Sequence, residues 1–151
     1  MDKLKVLVVD DDNDVRDLMT IWLKEKYDVD TAVDGNDCLA KIKKNKYDII
    51  FLDVMMPGPR PAELVPSITS KLPNVRIIYL TAVEMFNPTP EQEKKGFQPI
   101  ITPNVKGYLV KPVDKEMVIN KINEVMEMEK LLKPKTSSSS KNKSRGKKKT
   151  P

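Results

Sequence analysis

Three apolar runs in this chain end on side chains that can do ionic chemistry. Val8-Val9 leads into Asp10-Asp11-Asp12, Ile49-Ile50-Phe51-Leu52 into Asp53, and Tyr108-Leu109-Val110 into Lys111-Pro112. An apolar run bounded by polar residues is the pattern of a strand buried on both faces. Parallel strands finish on one edge of their sheet, and ligands bind in the crevice outside that edge. Asp10, Asp11, Asp53 and Lys111 are therefore predicted to converge on one small site. Carboxylates brought together repel one another unless a cation sits among them. With no His and a single Cys, the chain offers little to a soft metal. An all-oxygen cluster suits Mg2+, or Mn2+.

The elements that must position these residues alternate along the chain. Lys5–Val9, Val29–Val33, Ile49–Asp53, Val75–Leu80 (ending at Thr81) and Lys106–Val110 read as strands. Between them, Asp12 or Asn13 can cap a helix reaching about Lys26, with Val15, Leu18, Met19, Trp22 and Leu23 at helical spacing. Asp34-Gly35-Asn36-Asp37 opens a second helix, with Leu39 and Ile42 inward, and Val113–Leu132 reads as a closing one. Strands alternating with helices imply an α/β sheet with parallel strands. Pro66 interrupts the expected third helix, which should start near it or kink there. Phe86–Val105, with Pro88, Pro90, Pro99 and Pro103, has little regular pattern beyond a helical turn at Pro90–Lys95. Trp22 and the helical methionines read as core, and Cys38 as a small apolar filler.

The length of 151 residues allows one domain with a real core. The net charge of +5 misleads, because eight of the 27 basic residues and none of the 22 acidic ones fall in 133–151, which leaves −3 for residues 1–132. The globular part is thus mildly acidic, and 133–151 is expected to be a disordered Ser/Lys-rich tail. One Cys excludes an internal disulfide and fits a reducing compartment. No signal peptide is evident at the N-terminus, and no run approaches the roughly 20 apolar residues of a membrane span. A cytoplasmic protein without a membrane partner is the expectation.

Over about residues 3–132 the chain resembles the receiver domain of two-component response regulators, of the stand-alone chemotaxis type. The resemblance is carried by Asp10-Asp11, by Ala32-Val33-Asp34-Gly35, and by Tyr47-Asp48-Ile49-Ile50-Phe51-Leu52-Asp53 followed by Met56-Pro57-Gly58. Thr81-Ala82 and Lys111-Pro112 complete it. It implies a flavodoxin-like doubly wound sheet of order 2-1-3-4-5 with helices on both faces. It also implies roles for single residues. Asp53 would be the phosphoacceptor. Asp10, Asp11, Asp53 and the main-chain carbonyl of Met55 would hold Mg2+. Thr81 would hydrogen-bond the phosphoryl group, Lys111 would pair with Asp53 or its phosphate across a cis Lys111–Pro112 bond, and Tyr108 stands where the family has an aromatic switch. Tyr108 also fits a plain half-buried aromatic.

The implied partners are a histidine kinase or phosphotransfer protein as donor and a protein target as reader. The only enzymatic activity implied is self-phosphorylation and dephosphorylation. After Leu132 the remaining residues are too few and too polar for an output domain. Two departures stand out: Pro59-Arg60-Pro61 replaces the usual Met-Asp-Gly, and Thr81 to Lys111 is longer than usual. Two other functions are open to these residues. One is a Mg2+-dependent phosphohydrolase, against which Met55 stands where such enzymes carry a second Asp. The other is a non-phosphorylated binding module tethered to nucleic acid by its basic tail.

Overall fold

A computed structural model describes residues 3–82 and 102–132. The expected tail, 133–151, and most of the proline-rich segment Phe86–Val105 lie outside these residues. The described elements are β1 (Lys5–Val9), α1 (Asn13–Leu23), β2 (Asp28–Ala32), α2 (Gly35–Lys44), β3 (Ile49–Asp53), α3 (Pro61–Lys71), β4 (Arg76–Thr81), β5 (Val105–Val110) and α4 (Lys115–Leu132). The five strands are parallel, in the order β2-β1-β3-β4-β5. Internal contacts divide the chain after Lys121, so the second half of α4 belongs to the second unit.

Burial follows position in the sheet. All of β3 is buried, as is β1 from Val6 and β4 from Ile77, whereas β2 and β5 on the two edges bury only Ala32 and Leu109. The continuous apolar runs thus belong to the central strands and the mixed sequences to the edges. Leu7, Val9, Ile50, Leu52, Ile77 and Tyr79 pack on one face with Ile42 of α2 and Leu64, Val65 and Ile68 of α3. The alternate residues Val6, Val8, Ile49, Phe51, Ile78 and Leu80, equally buried, point to the other face. Neither face needs a disulfide: Cys38 is free and buried.

The helix starts are built from the expected residues. Asp12 caps α1, its side chain accepting from Asp14 N at 2.8 Å. Asp34 caps α2 by accepting from Asp37 N at 2.8 Å, and Asp37 accepts from Val33 N at 3.0 Å, one residue before the cap.

Three expectations need correction. Helix α3 begins at Pro61, not near Pro66, which lies inside it. Pro61 at the first helical position costs no hydrogen bond, because that N–H has no helical partner anyway. Buried Leu64, Val65 and Ile68 then carry the helix past Pro66, whose own side is exposed. On α1 only Met19 and Leu23 of the five periodic residues are buried; Leu18 is 45% exposed and Trp22 half-buried. The apolar stripe is wider than the strand surface it covers. Its margin lines a groove of about 360 Å³ that also includes Pro112 and Val113. Finally, α1 stops at Leu23 and α4 starts at Lys115, with Met117 N donating to Asp114 Oδ1 at 2.9 Å.

Candidate functional site

The backbone ladder continues one step past the strands at the carboxyl edge, and that step sets the site. Asp10 N donates to Ala32 O at 3.2 Å, Val54 N to Leu80 O at 3.1 Å, and Lys111 N to Thr81 O at 2.7 Å. In register, Val9 lies opposite Leu52, Asp53 opposite Leu80, and Thr81 opposite Val110. The residues just beyond each apolar run are therefore pinned side by side.

Asp10, Asp11 and Asp53 each bring a carboxylate oxygen within 4.8 Å of the others. Asp10 and Asp53 are buried, at 0% and 4% exposure, while Asp11 is exposed. The Lys111 ammonium lies 2.7 Å from Asp10 Oδ2 and 3.3 Å from Asp53 Oδ2, so it bridges two carboxylates rather than serving Asp53 alone. The Lys111–Pro112 bond that precedes α4 is cis, as the resemblance implies. Asp10 Oδ2 is fully buried, and the Lys111 ammonium is the partner it has. Asp53 Oδ1 accepts from Met55 N at 2.9 Å.

Burial pushes the Asp53 carboxyl up to about 6, with help from the neighbouring Asp10 charge; the Met55 N–H and the Lys111 ammonium pull the other way. Burial alone would lower Lys111, but Asp10 and Asp53 outweigh it and hold the ammonium above its ordinary value. The cluster thus carries more negative charge than its one lysine neutralises. One exposed carboxylate and two buried ones, sharing a single ammonium, fit a small hard cation.

Thr81 is fully buried at the end of β4. Tyr108, opposite Tyr79 in β5, is half-buried and packs on the core. Val54 is buried and Met55 is 53% exposed at the mouth of the site. One participant carries no signal in the sequence: Arg16 on α1, whose Nη1 donates to the Asp10 carbonyl at 2.6 Å and whose Nη2 donates to Asn13 Oδ1. A lone arginine on a charged helix gives no hint of such a contact.

A parallel sheet of order 2-1-3-4-5 with carboxylates and a lysine at its carboxyl edge defines a flavodoxin-like protein with an acidic pocket. The model of the response regulator receiver domain matches residues 6–123, and the chain belongs to that family. It is 32% identical over 123 residues to the transcriptional regulatory protein ResD of Bacillus subtilis, covering 81% of this chain and 48% of ResD. The chain thus spans about half the length of that relative. The chemotaxis protein CheY4 of Vibrio cholerae superposes with a TM-score of 0.65 at 31% identity, over 82% of this chain and 98% of CheY4. The response regulator TrrA of Thermotoga maritima, solved in complex with Mg2+ and BeF, gives a TM-score of 0.63 at 28% identity, over 81% of this chain and 98% of TrrA. Receiver domains are phosphoacceptor signalling modules rather than classical enzymes, and they work with histidine kinases or phosphotransfer proteins and downstream targets. Neither the phosphohydrolase nor the tethered binding module is favoured by these relatives. Among the described residues no helix is long and apolar enough to cross a membrane.

Proposed function

We propose that this receiver accepts a phosphoryl group on Asp53 and uses the charge to change a protein-interaction surface. The observation that carries the reading is the placement of Asp53: buried, beside Asp10 and Asp11, with the Lys111 ammonium at 3.3 Å. An Asp53 oxygen would form the P–O bond while the donor's P–N bond breaks and its nitrogen leaves with the electron pair. Carboxylate nucleophiles of this kind are an established route to aspartyl phosphates.

Two anions must meet in that step, so the site has to supply positive charge where negative charge gathers. Lys111 offers it from the β5 side, and a compact ammonium can follow the phosphoryl oxygens. Asp10, Asp11, Asp53 and the Met55 carbonyl would hold Mg2+, which when bound neutralises the remaining carboxylate and phosphoryl charge. The TrrA complex with Mg2+ and BeF supports that assignment by kinship. A carboxyl pushed up to about 6 is still mostly ionised at pH 7, so Asp53 keeps its nucleophilic form.

Thr81, at the buried end of β4, would donate its hydroxyl to the new phosphoryl group, and Tyr108 on the neighbouring strand would report the change outward. The receiver would comprise residues 1–132, a histidine kinase or phosphotransfer protein would be the donor, and the setting would be cytoplasmic, in keeping with a free, buried Cys38. Incubation with Mg2+ and acetyl phosphate, followed by intact-mass measurement, tests the reading. One phosphoryl adduct is expected on the wild type and none on Asp53→Asn; an equal yield on both would overturn it.

A further inference from the structure

Asp11 is an exposed carboxylate on a turn, yet a metal ligand has to be aimed. The two peptide groups that flank it are both held. On its C-terminal side, Asp12 N donates to Asp10 Oδ1 at 3.0 Å. On its N-terminal side, the Asp10 carbonyl, which belongs to the Asp10–Asp11 peptide plane, accepts from Arg16 Nη1 at 2.6 Å. The other arm of the same guanidinium donates to Asn13 Oδ1, in the first turn of α1. Arg16 is itself fixed, since its backbone N donates to Asp12 O at 3.1 Å and its carbonyl accepts from Thr20 Oγ1 at 2.8 Å.

We infer that Arg16 is a positioning residue for the cation site: its forked guanidinium locks the Asp10–Asp11 peptide and so presets the direction of the Asp11 carboxylate. The inference rests on the reading that Asp11 is a ligand. A planar fork holds two acceptors in one fixed relation, whereas the rotating donors of an ammonium on a flexible stem impose none. Groups that orient ligands without touching the metal typically govern affinity by about 10–100-fold.

Charge and position oppose each other here, which makes the inference testable by sign. A guanidinium bonded to the backbone carbonyl of Asp10 adds positive charge beside the cluster and repels a divalent cation. Were charge its whole effect, removing it would tighten Mg2+ binding, and keeping it as lysine would change nothing. Were Arg16 only a brace for α1, its loss would lower the metal-free melting temperature and leave Mg2+ affinity alone. The positioning role gives a third pattern, in which both Arg16→Lys and Arg16→Gln bind Mg2+ about tenfold more weakly or worse.

The experiment is Mg2+ titration by calorimetry of the wild type, Asp11→Ala, Arg16→Lys, Arg16→Gln and Asn13→Ala, with metal-free melting of each. Asn13→Ala removes one anchor of the fork without touching the arginine, and serves if the Arg16 variants do not fold; weaker Mg2+ binding in the same direction is expected. Affinity within twofold of wild type in the folded variants, or tighter binding by Arg16→Gln, would overturn the positioning role and leave the metal site standing. Wild type that binds Mg2+ no better than Asp11→Ala would overturn the metal site itself, and the positioning role with it.

Discussion

Between Val9 and α1 the chain is held by its own polar groups: Asp10 Oδ1 takes Asp12 N, Asp12 Oδ1 takes Asp14 N, and Arg16 takes the Asp10 carbonyl. Between Asp53 and α3 the chain has one such bond, Met55 N to Asp53 Oδ1, and beyond it is stiffened by rings, with Pro57, Pro59 and Pro61 around Gly58 at φ +98°. Pro59 also seats its ring on the start of α2, where a Cβ on Gly35 would come within 3.3 Å of it. Both turns deliver a group to the same pocket. The first does so with hydrogen bonds that depend on charge state and partner geometry. Past Met55 the second does so with covalent restriction of φ, which depends on neither. The first turn should therefore be the one that substitutions disturb electrostatically along its whole length, and the ring-stiffened stretch after Met55 the one that tolerates changes of pH and salt.

The largest expected effect comes from removing the exposed carboxylate of the first turn. Asp11→Ala should lose measurable Mg2+ binding while its metal-free form melts no lower than wild type, because removing one carboxylate relieves repulsion. Titration and melting of the same sample check both halves.

The next effect acts between the turns. Lys111→Met removes the ammonium that bridges Asp10 and Asp53, and phosphoryl uptake from acetyl phosphate should slow by about 100-fold. The Asp53 carboxyl should also rise above its value of about 6, which a pH profile of uptake would show as a shift to higher pH. An unchanged profile would mean that the ion pair is incidental.

A smaller effect is read by pH at Asp53, the head of the second turn. The folded Asp53 carboxyl lies above its unfolded value of 3.8, at about 6, so protonation favours the folded state. Its stabilising contribution is present below about pH 4 and is lost as pH rises through about 6. In metal-free protein, Asp53→Asn should remove that slope and gain about 1–2 kcal/mol above pH 6, a figure reduced from the full shift for solvent screening. Urea unfolding from pH 4 to 8 reads it directly.

The smallest effect probes the ring-stiffened turn. Nothing lies within 4 Å of a Cβ built on Gly58, so Gly58→Ala meets no clash and carries only the left-handed backbone cost, about 1 kcal/mol. That loss should not vary between pH 5 and 8.

The site residues are legible in the amino-acid sequence because each ends an apolar run, and the register of a parallel sheet converts that pattern into proximity. Asp10, Asp11, Asp53 and Lys111 need no more than this. Arg16 is not legible, because its contact depends on the path of the Asp10–Asp14 turn and not on spacing along α1. The start of α3 is hidden for a related reason. Pro66 is a strong local signal, but burial of Leu64, Val65 and Ile68 outweighs one missing helical hydrogen bond. The α1 stripe promises more core than it delivers, since periodicity shows that a face is apolar and not how much of it finds a partner.

Location of the phosphoryl group tests the central claim most directly. After incubation with Mg2+ and acetyl phosphate, borohydride reduction converts an aspartyl phosphate to homoserine, and peptide mass spectrometry then reads the position. Homoserine at residue 53 in the wild type, and at no other aspartate, is the predicted result. Homoserine at Asp10 or Asp11, or an intact Asp53 in protein that carries a phosphoryl group, would contradict it.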